Sequence, residues 1–508
     1  MTENSETLPV AKERWDALVG AREGPLSRAR ESSVLTIPDL IPPDGHTEDS
    51  TLPTPYQSLG ARGVNNISSR LFMTIMPAGA SMFRFRMEED VEEQLSESKA
   101  EVEEALAGME NKVLTALEAS NLRTTLNEVL KHLVVGGNTL LYMPDDLEAM
   151  RIFRLDQFVT LRDGSGKPIE AVIREKVSPV TLDEATKMAV GIPADKKDDV
   201  EVYTHIKWKW ADKRLTYYQE INGTIVPESE GFDPIDKPSY IPLRWTAVAG
   251  ESYGRSMVSE YLGDLLSLEG INKSIVDFTA AAAKIVFLLR PNGTTKAKDL
   301  AKADSGAFVT GSVDDVSVLQ LEKYADFRVA KEQAEELTLR LSNAFLLRSG
   351  TVRQAERVTA EEIREMAQEL EDVLGGVYTF LTRELQLPIV RRVIHILEKS
   401  NKLPKLPEGS TSITIVTGFE ALGRNQTVNR LRRWLSDAAA LLGPEALLRR
   451  INDGEVIKRL GTGHGVEDLK GLLKTDEEIE QAEQAAMMNQ TAQQIAPAAT
   501  AEAMKQAQ

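Results

Sequence analysis

The chain has no cysteine, which excludes a disulfide framework, a thiol nucleophile and a thiolate-ligated zinc. Histidine is nearly as scarce. His46, His132, His205, His395 and His464 stand at no metal-ligand spacing, so each is expected to be structural. Long hydrophobic runs are missing too: the best, residues 278–289, is interrupted by Lys284 and is too short to span a bilayer. The polar start, MTENSETLPVAKERW, lacks the apolar core of a signal peptide. Positive charge is in deficit, with 60 Lys and Arg against 78 Asp and Glu and a net charge of −18. A protein built to grip nucleic acid neutralises phosphates with Lys and Arg, so ordinary nucleic-acid binding is disfavoured. An acidic surface suits solubility, or a duplex that must slide past without sticking.

Phosphate loops are absent as well. In Asp163-Gly164-Ser165-Gly166-Lys167 the first glycine of the GxxxxGK[ST] pattern would fall at Leu161, and Pro168 replaces the magnesium-holding hydroxyl, so a hairpin turn is expected. The run 461–465, GTGHG, has no preceding strand. The acidic pairs Asp145-Asp146 and Asp314-Asp315 sit in turn-like contexts. No active site, metal or cofactor is expected.

What is present is a large globular chain, 508 residues and 42 % hydrophobic, enough for roughly three domains. One helix is predicted over 10–34, then a Pro-rich connector from Pro38 to Pro55, then a helix over 56–76. Residues 88–104 carry nine acidic side chains against one lysine and lead into a helix ending near Asn121. Strands are predicted at 151–162, 169–176, 202–210, 215–221 and 240–248. In the third, Val202, Thr204, Ile206, Trp208 and Trp210 alternate with Tyr203, His205, Lys207 and Lys209, the period of a half-buried strand. Strands that follow one another through turns indicate an α+β body, mainly α.

Residues 254–399 have the strongest pattern. An outward helix after Gly254 places Val258, Tyr261, Leu262, Leu265, Leu268, Ile271, Ile275, Val276 and Thr279 at spacings of three and four, and Pro291-Asn292-Gly293 is expected to stop it. The block up to about Lys323 reads as short strands. A returning helix from Asp326 repeats the pattern with Val329, Ala330, Ala334, Leu337, Leu341, Ala344, Phe345 and Leu347. Each arm covers only one side of the other, so lateral packing against copies of the chain is the simplest remedy. Between the returning arm and the next helix lies a loop with Arg348, Arg353 and Arg357, bounded by Thr359 as N-cap and Glu362 three positions on. Pro388 is expected to kink that third helix, and Ile413, Ile415 and Thr417 to form a strand.

The stretches GESYGRSMVSEYLGDLLSLE (250–269), TGSVDDVSVLQLEKYADFRVAK (310–331) and ERVTAEEIREMAQELEDVLGGVY (356–378) resemble the portal proteins, or head-to-tail connectors, of short-tailed phages. TPYQSLGARGVNNISSRL (54–71), LVVGGN (133–138) and ELQLPIVRRV (384–393) agree with the same family. The resemblance implies a portal-type fold assembling as a ring: a wing over 1–253, stem helices over 254–290 and 326–347, and a clip over 291–325. It further implies a channel loop over 348–358, a long wing helix and returning strand over 359–424, a crown over 425–475, and a barrel or disordered tail over 476–508. It implies a virion protein, found in the host cytoplasm during assembly, with twelve copies ringing double-stranded DNA and no catalysis. The channel loop would face the duplex through Arg353 and Arg357, with Arg348 as the third candidate. The clip, with Lys296, Lys298, Lys302, Asp304, Asp314 and Asp315, would meet the terminase packaging motor and then the tail adaptor. Major capsid, scaffolding and internal core proteins complete the implied partners. The other classes in play are a DNA-packaging enzyme, which would need the complete phosphate loop, and a helical scaffold or coat-like protein, which would build shells rather than closed rings.

Overall fold

The computed structural model describes residues 10–47, 49–76, 82–88, 99–193, 195–282, 286–319, 324–347, 374–406, 411–415 and 423–443, with scattered positions from 446 to 460. The chain divides into two compact units, Met1–Gly418 and Phe419–Gln508. Among the described residues no helix is long and apolar enough to cross a membrane.

In the first unit, helix α1 (Ala11–Val34) buries Ala11, Trp15, Arg22, Leu26 and Ala29 along one side. The irregular connector follows, then α2 (Leu59–Ile75), β1 (Phe83–Met87), α3 (Lys99–Ala119) and α4 (Leu122–Gly136). The helical core joins Val64, Ile67 and Leu71 of α2 to Val113 and Leu117 of α3 and to Leu126, Val129 and Leu133 of α4. Helix α4 stops at Gly137, whose φ of 73° is left-handed and whose N–H closes on Leu133 O at 2.9 Å. A Cβ there would meet the Arg255 carbonyl carbon at 2.7 Å, so only glycine fits.

The β-rich body then takes two sheets. Strands β2 (Asn138–Tyr142) and β3 (Arg151–Phe153) belong to one three-stranded sheet. The other is an antiparallel six-stranded sheet that opens with β4 (Phe158–Arg162) and β5 (Pro168–Val177). After helix α5 (Glu184–Ala189) it continues with β6 (Val200–Lys209), β7 (Arg214–Ile221), β8 (Thr224–Ile225) and β9 (Gly231–Pro234), while β10 (Tyr240–Arg244) pairs with β2. The strand expected over 151–162 is therefore two strands in different sheets, separated by a turn in which Gln157 N–H donates to Arg154 O at 2.9 Å.

Strand β6 departs from the half-buried reading. Tyr203 and His205, on the side expected to be wet, are as buried as Val202 and Ile206. Helix α1 covers that side, where Ala11 and Trp15 pack with Val159, Val172, Tyr203 and Tyr218. The same face holds a polar cluster: Glu170 accepts from Arg14 Nη2 at 2.6 Å and sits 2.6 Å from His205 Nε2. Burial alone would raise the Glu170 pKa, but the hydrogen bonds from Arg14 and His205 outweigh it and hold the carboxyl at about 2, against 4.5 for an ordinary glutamate. Because the folded-state value lies below the unfolded one, this stabilisation is present above pH 4.5 and is lost as pH falls towards 2. Glu170→Gln is expected to destabilise the body by about 2 kcal/mol at neutral pH, below the range for fully buried pairs because Arg14 is 35 % exposed. In an acid titration followed by circular dichroism the variant should lose less stability across that window than the parent.

Downstream, α6 (Met257–Glu260) and α7 (Leu262–Ala282) form the outward arm. The arm is shorter than the expected 254–290. Residues β11 (Val286–Leu289) form a strand, which pairs antiparallel with β12 (Val316–Leu319) beyond the short helix α8 (Ala297–Ala301). A β-branched and apolar run next to a turn favours strand once it has a partner. Between those strands only 297–301 and a single turn at Val313–Asp315 are regular, so most of the block expected to be strands is not. The returning arm is α9 (Tyr324–Ala344).

The described part of the third helix comprises α10 (Gly376–Leu381), a π-helical turn at Thr382–Gln386 and α11 (Leu387–Lys399). Pro388 cannot donate, and the helix meets it by widening: Leu387 N–H reaches back five residues to Thr382 O. Helix α11 is fixed by Arg392, which is 3 % exposed and donates to Asp233 at 2.8 Å, Asp145 at 2.9 Å and Met143 O at 3.1 Å. Strand β13 (Thr411–Ile415) includes Ile413 and Ile415 and pairs antiparallel with β1, while Thr417, expected in the same strand, lies outside the described residues. In the second unit, helix α12 (Gly423–Leu442) leaves Trp434, Leu441 and Leu442 exposed. The tail over 476–508 lies outside the described residues.

Candidate functional site

The two arms run antiparallel, since Tyr261 meets Phe345 at 5.8 Å at one end and Phe278 stacks on Phe327 at 5.3 Å at the other. Leu265 and Leu268 close the seam with Ala334, Leu337 and Leu341, and the Arg340–Asp264 ion pair lies at its edge. The seam uses the stripe read from the sequence, but Val276 and Val329, assigned to it, are 50 % and 63 % exposed. Leu266 at 52 % and Leu339 at 38 % join them on uncovered faces, which the single-stripe reading overlooked. Their signal is an apolar residue off the seam spacing: Leu266 directly follows Leu265, and Leu339 stands between Leu337 and Leu341.

Both arms are anchored in the body. Glu269 accepts the Tyr56 N–H at 2.8 Å and the Gln57 N–H at 3.2 Å. At the far end of the returning arm, Asn66 Nδ2 donates to Phe345 O at 2.9 Å and Leu346 O at 3.1 Å, where Leu346 takes a left-handed φ of 54°. Gly63 admits the Phe345 ring so closely that a Cβ would lie 2.5 Å from it. The returning arm is therefore fixed up to its last described residue, Leu347. Arg348, Arg353 and Arg357, with Thr359 and Glu362, lie outside the described residues.

At the tip, Lys296, Lys298, Lys302, Asp304 and Asp314 are exposed. Asp315, expected on the same surface, is instead buried. Its Oδ2 accepts from Thr295 N–H, Thr295 Oγ1 and Thr294 Oγ1, each at 3.1 Å, and Thr295 Oγ1 in turn accepts the Ser312 N–H at 2.9 Å. These bonds, led by the Thr295 N–H, hold its carboxyl below the usual aspartate range. Gly293 makes room, because a Cβ there would meet the carboxylate carbon at 2.5 Å. Asp315 thus shapes the tip while the other five present charge.

Of the remaining motifs, the run 461–465 lies outside the described residues, and the others resolve structurally. Residues 163–167 form the hairpin turn between β4 and β5, with Asp163 Oδ1 accepting the Ser165 and Lys167 N–H groups at 2.9 and 2.8 Å. The GxSxG spacing at Gly250-Glu251-Ser252-Tyr253-Gly254 forms no nucleophile elbow: it lies in an irregular segment, and Ser252 Oγ accepts the Arg162 N–H at 3.1 Å. Asp145 pairs with Arg392 and Lys399, and Asp146 accepts the Glu148 N–H at 3.0 Å. Among the described residues no cluster of His, Asp and Glu could hold a metal. His132 is buried in the helical core, where desolvation pushes its pKa down to about 4 and keeps it neutral.

Residues 9–469 match the family model of the bacteriophage head to tail connecting protein. The portal protein of Escherichia phage T7 is 40 % identical over 480 residues, covering 93 % of this chain and 89 % of its own. That of Enterobacteria phage T3 is 39 % identical over 492 residues, covering 95 % and 91 %, and that of Pseudomonas phage phiKMV is 28 % identical over 493 residues, covering 94 % and 95 %. Among solved structures, a chain from the virion of a native gene transfer agent particle is 12 % identical over 79 % of this chain and 89 % of its own, with a TM-score of 0.36, too low to carry an argument. With a family model and several relatives matched along nearly its whole length, the chain belongs to the bacteriophage head-to-tail connecting proteins, the portal proteins: it is a structural, non-enzymatic component of the capsid's portal vertex, of a family that implies an oligomeric ring.

Proposed function

We propose that twelve copies close around an axial channel through which double-stranded DNA enters the capsid during packaging and leaves during ejection. One observation carries this reading: the arms seal each other along one seam and leave Leu266, Val276, Val329 and Leu339 uncovered, faces that identical neighbours would bury. The net charge of −18 per chain, repeated around a ring, keeps the duplex from adhering to the walls. Electron microscopy of the purified protein should show closed rings with an axial hole about wide enough for a duplex. Shells, filaments or single chains would overturn the proposal.

The loop after the returning arm supplies the contact with DNA. Arg353 and Arg357 ring the duplex, with Arg348 as the third, because planar guanidinium groups match phosphate oxygens and many weak contacts restrain backward slippage without a tight grip. Replacing Arg353 and Arg357 together with alanine is expected to leave rings intact and to lower the fraction of particles retaining a full genome several-fold, counted in electron micrographs. Full retention would assign these arginines to internal pairing with neighbouring carboxylates.

The exposed charges of the tip, Lys296, Lys298, Lys302, Asp304 and Asp314, on the scaffold that Asp315 braces, meet the terminase packaging motor during filling and the tail adaptor afterwards. Around the body the ring meets the major capsid and scaffolding proteins, and the second unit faces the internal core proteins.

A further inference from the structure

A cleft of about 530 Å³ opens in the first unit between the hairpin turn at 164–167, strand β10, residues 247–250 and the π turn, and it takes no residue from the arms. In a chain of net charge −18, its lining has four cationic side chains, Arg162, Lys167, Arg244 and Arg383, against one carboxylate, Glu384. Arg162 is 8 % exposed, and among the described residues its guanidinium bonds only to carbonyls, Gly166 O at 2.9 Å and Pro242 O at 2.7 Å. It makes no ion pair among the described residues, its Nε is sealed off without a partner, and burial lowers its pKa to about 10. Arg244, 4 % exposed, shares Glu384 Oε1 through Nη2 at 2.6 Å and leaves Nη1 without a hydrogen bond among the described residues. Two buried guanidinium groups therefore depend on one carboxylate. A buried charge without a counter-charge is costly, so the arrangement calls for a further anion.

We propose that this cleft binds a phosphate-class oxyanion, with Arg244 and Arg383 facing it and Arg162 supplying the field behind. The planar donor fork of arginine matches two oxygens of such a group. The volume falls in the range of small-ligand pockets, roughly 300–1,000 Å³, and Trp208, Trp210, Tyr240 and Phe380 line the same space, so the phosphate can be a free ion or the end of a small ester. The reading is independent of the channel and of the loop arginines. An occupant would bridge the body and the π turn at Thr382–Gln386.

The test uses the full-length assembled protein freed of DNA, titrated by calorimetry with inorganic phosphate in one arm and adenosine monophosphate in the other. Saturable binding at one site per chain is expected in at least one arm, and the tighter probe tells whether the source is the free ion or an ester. Arg383→Gln with Lys167→Gln should weaken the tighter probe at least tenfold with ring assembly unchanged. If that pair disturbs assembly, Arg383→Gln alone is the second variant, since Arg383 is exposed and makes no ion pair among the described residues. Failure of both probes to saturate at millimolar concentration, or unchanged binding by the variant, overturns the proposal.

Discussion

Leu266→Asp combined with Val276→Asp is expected to yield a folded chain that no longer closes into rings. Both residues stand on the outward arm, 52 % and 50 % exposed, on faces that the seam with the returning arm does not use. Leu265 and Leu268, which do face the seam, are untouched, so the hairpin of arms keeps its own core. The intrinsic cost of two aspartates in a helix is small, roughly 1 kcal/mol together. At a neighbour's surface the loss is far larger. Two aliphatic side chains give up about 3 kcal/mol of burial, and each carboxylate adds about 1 kcal/mol of desolvation at a half-wet interface. An interface weakened by roughly 5 kcal/mol loses more than three powers of ten in association constant, and a closed ring repeats that loss at every interface. Sedimentation velocity should show the parent as a large closed species and the variant as single chains with an unchanged circular dichroism spectrum. Rings that survive would show that lateral packing is carried elsewhere and that these faces border the channel or the outside.

The same residues show what the sequence could and could not reveal. The seam was legible because a helix that buries one stripe repeats it every three or four positions, and Leu265, Leu268, Leu337 and Leu341 keep that spacing. The uncovered Leu266 and Leu339 were not, since a period marks a buried stripe and says nothing about a second face reserved for another molecule. Tyr203 and His205 illustrate the reverse failure. Their alternation with Val202 and Ile206 reads as one wet face, yet a helix from the start of the chain covers it, and nothing local to β6 announces a partner so far away in sequence. The tip shows a third kind. Its charges were legible as charges, but whether an aspartate faces solvent or ties up Thr294 and Thr295 depends on turn geometry, and adjacent Asp314 and Asp315 part company on that ground. The strand at Val286–Leu289 was missed because an apolar run at a helix end looks helical until a partner strand, here Val316–Leu319, is placed beside it. Family resemblance outran all of this: long stretches in order named the architecture that periodicity only hinted at.

Arg392→Met is the substitution with the largest expected effect on the stability of the first unit. The guanidinium sits between α11 and the body and is the only group joining Asp233, Asp145 and the Met143 carbonyl among the described residues. Methionine fills much of the same volume, so the change removes charge and donors more than packing. Asp145 is half exposed and keeps Lys399, so it tolerates the loss. Asp233 does not. Its side chain is 9 % exposed and, among the described residues, keeps only the Ser239 hydroxyl and N–H as donors, which leaves an uncompensated charge in the interior. Removing one partner of a buried pair costs roughly 3–5 kcal/mol, which corresponds to a fall of about two to nearly four powers of ten in protection where opening is local. Hydrogen exchange should therefore quicken by about that factor along α11 and β10, with the arms unaffected. Adding Asp233→Asn removes the stranded charge and should recover about half of the loss, as a double-mutant cycle would read it. If the single variant exchanges at the parent's rate, Asp233 reaches solvent by another route and helix α11 is held by its apolar face, Ile389, Val390, Val393 and Leu397, alone.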